Sequence, residues 1–154
     1  MNVALLSIHV LAAIVFIGPV TVAASMFPPR ARAALTVGGP DPVLGTLHRI
    51  TRVYALAAIA VPVFGLATGA AMGVLGETWL IVSMVLTAVA AVILAGAVLP
   101  GQSAVLAAVV ADAEARSKVQ PVARRLSMVT GLFGLTWAAV VVLMIARPGS
   151  TTGA

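Results

Sequence analysis

From Trp79 to Leu99 the chain carries no charged side chain, and that run decides what kind of fold is available. A soluble helix of this length needs a polar face. An unbroken apolar one matches a span of the ~30 Å hydrocarbon core at ~1.5 Å per residue. Three more apolar runs surround it, so the sequence predicts four transmembrane helices over residues 3–27, 47–74, 79–99 and 122–147. Composition agrees: 62% of the 154 residues are hydrophobic and 8% are charged, too few charges to cover a soluble globule. The expected fold is all-α, a polytopic membrane protein forming one domain, a four-transmembrane-helix antiparallel bundle.

Punctuation sets the expected helix ends. Pro19 should bend the first helix near Val15, with Thr21 or a neighbour resatisfying the freed carbonyl. Pro28-Pro29 should end that helix, and the segment to Gly45 reads as loop. A tight turn around Gly76-Glu77 separates the second and third helices, and Pro100-Gly101 interrupts the third. Residues 103–118 pair Asp112 with Arg116 and Glu114 with Lys118 at i,i+4, which predicts a short amphipathic cytoplasmic helix between helices 3 and 4, or a cytoplasmic extension of the third helix. Pro121 suits the first position of the last helix. The tail to Ala154 reads as disordered.

Charge orients the bundle. Arg30, Arg32, Arg49, Arg52, Arg116, Lys118, Arg124 and Arg125 fall at one side, whereas only Arg147 falls at the other. The positive-inside rule then places both termini outside a bacterial plasma membrane. Trp79 and Tyr54 fall near opposite interfaces, where amphipathic rings are favoured. The net charge of +5 sits beside apolar runs rather than on a polar face with stacking aromatics, so membrane lipids are the expected partner and nucleic acid is not. His48, Arg49, Arg52, Arg124 and Arg125 form a cluster suited to an anionic lipid head group or an acidic partner loop.

Small residues mark the packing faces. Gly65, Gly69 and Gly73 recur every fourth residue on the second helix, Ser83, Thr87, Ala91 and Ala95 line the third, and Thr130, Gly134 and Ala138 line the fourth. Such stripes let helices approach closely within one chain or between copies of a homo-oligomer.

Chemistry is sparse. With no cysteine there is neither a disulfide framework nor a thiolate nucleophile. His9 alone is an ionisable side chain well inside an apolar span, and such residues are functional candidates by default. Six residues from its helix end it lies ~9 Å deep, level with Thr68, Ser83, Met84 and Met144, with Met72 a turn further out. Two readings compete. In one, His9 is neutral and hydrogen-bonds Thr68, Ser83 or a backbone carbonyl while the methionines fill gaps. In the other, His9 anchors copper, haem or a quinone, and is the metal ligand if there is one. A haem shared by His9 and His48 is excluded by a separation of ~20 Å along the bilayer normal.

The stretches SIHVLAAIVFIGP, LHRITRVYALAAIAVPVFGLATG and RRLSMVTGLFGLTWAAVVVLMIARP together resemble a bacterial family of predicted four-helix integral membrane proteins of unknown function. More distantly, a His in the first helix followed by small residues is similar to the copper-resistance D-type and protoporphyrinogen oxidase J-type membrane proteins. That likeness carries over His9 alone. The oxidase-type family also implies a basic residue in a later helix, which the third helix here lacks.

Abundant packing signal beside little chemical signal favours a non-catalytic accessory or scaffold subunit of a homo-oligomer or larger membrane complex, with no cofactor expected. The alternative is a small-ligand binding or transport protein centred on His9. An enzyme ranks third, because a bound cofactor would have to supply its chemistry.

Overall fold

The computed structural model describes residues 3–150. The described residues hold four helices long and apolar enough to cross a membrane: α1 (Val3–Val37), α2 (Pro42–Ala71), α3 (Thr78–Val109) and α4 (Ala113–Ala146). At ~1.5 Å per residue each runs for about 45–52 Å, well past a ~30 Å hydrocarbon core. At the end carrying the turns between α1 and α2 and between α3 and α4, the helices run beyond the expected spans. There Phe27, Ala31, Leu35, Leu44, Leu47, Val105, Val109 and Leu126 form a packed core.

That core explains why the expected boundaries were too short. Pro28 and Pro29 lie inside α1, which continues to Val37. An interior proline costs ~3 kcal/mol locally, but continuing the helix buries Ala31, Ala34 and Leu35 against α2 and α3. The expected loop shrinks to residues 38–41, and α2 starts at Pro42. Asp41 caps α2, accepting from the Val43 and Leu44 N–H groups at 2.9 and 3.3 Å, and its other oxygen accepts from Arg30 Nε at 2.7 Å. Gly38 ends α1 at φ +79°, with Arg116 packed where a side chain would sit. The Gly39 N–H reaches the Val109 carbonyl at 2.9 Å and ties this turn to the end of α3.

The separate amphipathic helix expected over 103–118 does not form. Residues 103–109 continue α3, and 113–118 open α4. The Asp112 carboxylate accepts from the Ala115 N–H at 2.8 Å as the cap of α4 instead of pairing with Arg116, which donates to the Ala111 carbonyl. The Lys118–Glu114 pair does form, at 2.7 Å. Pro121 falls well inside α4 rather than at its start.

Three other prolines leave visible marks. A wider π turn at Ala13–Ile17 precedes Pro19, and another at Leu94–Val98 precedes Pro100. In α2 the helix breaks between Pro42–Ala57 and Ala60–Met72. The cause is the same in each: the ring removes one N–H and crowds the carbonyl four residues back, so the turn widens or opens. Ahead of Pro62 the Ala58 carbonyl accepts from the Val61 N–H at 3.0 Å instead. Thr21 does not resatisfy Val15; its hydroxyl donates to the Ile17 carbonyl at 2.9 Å.

A second cluster, Val20, Ala24, Ala90, Leu94, Val98 and Phe133, fills the middle of the bundle, with Tyr54 and Trp137 packed against it. Trp137 meets Phe133 edge-on at 6.4 Å. Toward the termini the helices pair off. The first turns of α1 lie on the last turns of α2, while α3 lies on α4. The space between the two pairs is not filled.

Candidate functional site: a cleft beside His9

Two adjoining cavities of about 630 and 620 Å³ occupy the end of the bundle nearest the termini, and His9, Gly65, Leu80, Val141 and Met144 line both. The deeper one reaches Thr21, Thr87, Gly134 and Trp137; the other reaches Thr68, Met72, Trp79 and Arg147. The walls are almost wholly apolar, so the few polar atoms decide what the space can recognise.

His9 is 8% exposed, and its position follows from two residues of α2. Gly65 provides the room: a Cβ there would stand 2.8 Å from Cε1 of the imidazole. Val61 provides the partner, its carbonyl oxygen lying 2.9 Å from His9 Nδ1. A carbonyl only accepts, so Nδ1 carries the proton and donates. With Nδ1–H so engaged, the neutral form of the ring carries its lone pair on Nε2. Nε2 has no hydrogen-bond partner among the described residues, and the ring borders both cavities. The arrangement therefore offers one fixed acceptor to whatever enters.

The other residues singled out from sequence divide. Met84 and Met144 line the deeper cavity, and Thr68, Met72 and Met144 line the other. Ser83 is buried but borders neither; its hydroxyl donates to the Trp79 carbonyl at 2.8 Å. Thr68 likewise donates to the Phe64 carbonyl, at 2.7 Å. His9 thus chose a backbone carbonyl from the three partners considered. Among the described residues, no three His, Cys, Asp or Glu side chains converge as a metal site.

The glycine stripe separates in the same way. Gly65 faces His9, and Gly69 faces Leu80 and Leu75, both close approaches. Gly73 serves instead as the left-handed cap of α2 at φ +70°. Gly134 borders the deeper cavity, and a Cβ on it would meet nothing within 4 Å. Sequence reading overlooked Gly101, where a Cβ would stand 2.9 Å from a Leu126 methyl.

Two indoles were also overlooked as site residues. Trp79 and Trp137 line the two cavities with their Nε1–H groups buried and unpartnered. Arg147 sits over the Trp79 ring, its guanidinium carbon 5.5 Å from the centroid.

At the opposite end, His48 leaves the basic cluster expected of it. Its Nδ1 lies 3.0 Å from Gln102 Oε1, Gln102 Nε2 lies 3.4 Å from Thr51 Oγ1, and the Thr51 hydroxyl donates to the Leu47 carbonyl at 2.9 Å. Each group donates to the next, and Gln102 and Thr51 are fully buried. This network clamps α2 to α3. Arg49, Arg52, Arg124 and Arg125 remain exposed. Since His9 engages Val61 and His48 lies thirteen positions earlier on α2, the two rings are about 20 Å apart by helix rise, too far to share a metal.

Comparison with protein-family models, with curated proteins and with solved structures finds no match to this chain.

Proposed function

We propose that the protein is a four-helix membrane protein that binds a lipophilic small molecule in the cleft beside His9. The observation that carries this reading is the pairing of His9 Nδ1 with the Val61 carbonyl, which leaves the Nε2 lone pair to a large apolar space. An imidazole that accepts at Nε2 among thioethers and aliphatic groups suits a lipophilic organic ligand bearing a hydroxyl, which can donate to it, with soft copper or five-coordinate haem as less favoured occupants. Among the described residues none is arranged as an activated nucleophile, and this favours binding or transport over catalysis.

The membrane setting completes the proposal. Connections of a few residues favour an antiparallel bundle. The concentration of Lys and Arg at one end favours termini outside a bacterial plasma membrane, with Arg49, Arg52, Arg124 and Arg125 against anionic lipid. The cleft then opens in the outer half of the bilayer, where lipophilic molecules concentrate.

A second reading, an accessory or scaffold subunit in a homo-oligomer or larger complex, draws on another observation: Ala88, Ala91 and Ala95 of α3 are exposed, a small-residue stripe left unused within the chain.

Gentle purification followed by an absorption spectrum, metal analysis, native mass and mass spectrometry of an organic extract separates the two. A stoichiometric organic molecule, present in the wild type and absent from His9→Ala, supports the cleft reading. An empty, colourless and metal-free oligomer supports the scaffold. A ligand that remains fully bound in His9→Ala rules out His9 as its anchor.

A further inference from the structure

The cavity that reaches the end of the bundle is chemically lopsided. Near its mouth stand two donors, Arg147 and the Trp79 indole, and among the described residues no carboxylate pairs with either. Arg147 follows the last turn of α4 in a left-handed conformation, φ 41°, which turns the chain and places the side chain over Trp79. Its Nε donates to the Met144 carbonyl at 3.4 Å. Cation–π contact leaves the guanidinium edge free for hydrogen bonding, and Arg147 forms no ion pair with a described residue, Glu77 of the adjoining turn included. Beneath it Trp79 is 6% exposed with its indole N–H unpartnered. A buried donor without an acceptor is destabilising unless something supplies one.

Resting on the cleft reading above, we propose that the occupant is an anionic amphiphile. Its carboxylate or phosphate meets Arg147 and Trp79, and its single apolar chain runs past His9 into the deeper cavity. Charge complementarity selects the head group, since the mouth offers a fixed cation and a second donor. The adjoining cavities, which share His9, Gly65 and Met144, accommodate an extended chain rather than a compact ring. His9 Nε2 adds an acceptor partway along, which favours a chain or head bearing a hydroxyl beside it. A free anion without a chain would leave nearly all of the cleft unfilled, so the apolar part contributes most of the binding.

The chain contains two tryptophans, and both line the cleft, so intrinsic fluorescence reports occupancy. Purified protein in a maltoside detergent at pH 8 is titrated with oleate, oleyl alcohol and acetate. Oleate should bind about tenfold or more tighter than oleyl alcohol, the worth of charge-assisted hydrogen bonds. Arg147→Gln should bring the two together, Arg147→Lys should keep most of the preference, and Trp79→Phe should weaken oleate selectively. Gly134→Leu, at a position lining the deeper cavity where an added Cβ meets nothing within 4 Å, should weaken both long-chain ligands. Equal binding of oleate and oleyl alcohol, both weakened by Gly134→Leu, overturns the head-group assignment and leaves the cleft reading standing. Saturable displacement of oleate by millimolar acetate overturns the amphiphile in favour of a simple anion site. Absence of saturable binding by either long-chain ligand overturns both readings.

Discussion

The imidazole of His9 occupies the volume that a side chain at Gly65 would need: a Cβ on Gly65 would come within 2.8 Å of His9 Cε1. The ring cannot simply swing aside, because its Nδ1–H is bonded to the Val61 carbonyl one turn away on the same helix. Gly65→Ala should gain up to ~1 kcal/mol of helix propensity but lose ~1–3 kcal/mol to overpacking. A net loss is therefore expected, read as a lower unfolding midpoint in detergent. Gly65→Leu should be worse and should displace His9 from the cleft.

Ser83→Ala provides the contrast. Ser83 lies at a depth similar to that inferred for His9 from sequence, yet its hydroxyl is spent on the Trp79 carbonyl and it borders neither cavity. Removing a hydroxyl bonded within its own helix should change stability by less than ~1 kcal/mol. The ligand content of the purified protein should be unchanged, whereas His9→Ala should abolish it.

The Gln102 network is expected to be structural. Gln102→Leu would strand the partly buried His48 Nδ1–H and remove the clamp between α2 and α3, costing ~1 kcal/mol. The His48→Leu, Gln102→Leu double variant should be less destabilised than the sum of the single variants, because both remove the same bond. Thermal unfolding of the three proteins measures this coupling.

The turn between α1 and α2 should weaken in acid. Burial alone would push the Asp41 carboxyl up, but Arg30 and the Leu44 and Val43 N–H groups together outweigh it and hold the group below its ordinary 3.8. A depressed folded-state value means that the stabilisation is present above the unfolded value and is lost as pH falls through the lower, folded one. Amide exchange at Val43 and Leu44 should therefore stay protected down to about pH 4 and speed up below it, relative to the intrinsic rate. Asp41→Asn should show no such acid step.

The four spans were legible because hydropathy over a membrane's thickness is a property of long windows and does not depend on which helices touch. His9 stood out for the same reason, as an ionisable group within an apolar run. What escaped was decided by tertiary contact. Pro28-Pro29 reads locally as a stop, and only the burial of Ala31, Ala34 and Leu35 against α2 and α3 carries the helix through it. Asp112 had two acceptable partners at the sequence level, Arg116 and the free N–H groups of a helix start, and the structure uses the latter. Gln102 followed Pro100-Gly101 and passed for loop, although a lone amide just beyond an apolar run is the signal that would have found it. Arg147 and Trp79 lie far apart in sequence, so their stacking at the cleft mouth had no local signature.

The account turns on which nitrogen of His9 holds the proton. The most direct measurement is the ¹⁵N chemical shift of the imidazole in protein labelled at histidine. The chain has two histidines, and a His48→Gln sample assigns them. The proposed cleft chemistry requires a protonated Nδ1, as the contact with the Val61 carbonyl indicates, and an unprotonated Nε2 whose signal moves when the cleft is filled. A proton on Nε2, or an Nε2 signal unmoved by a ligand that saturates the tryptophan fluorescence, would contradict it.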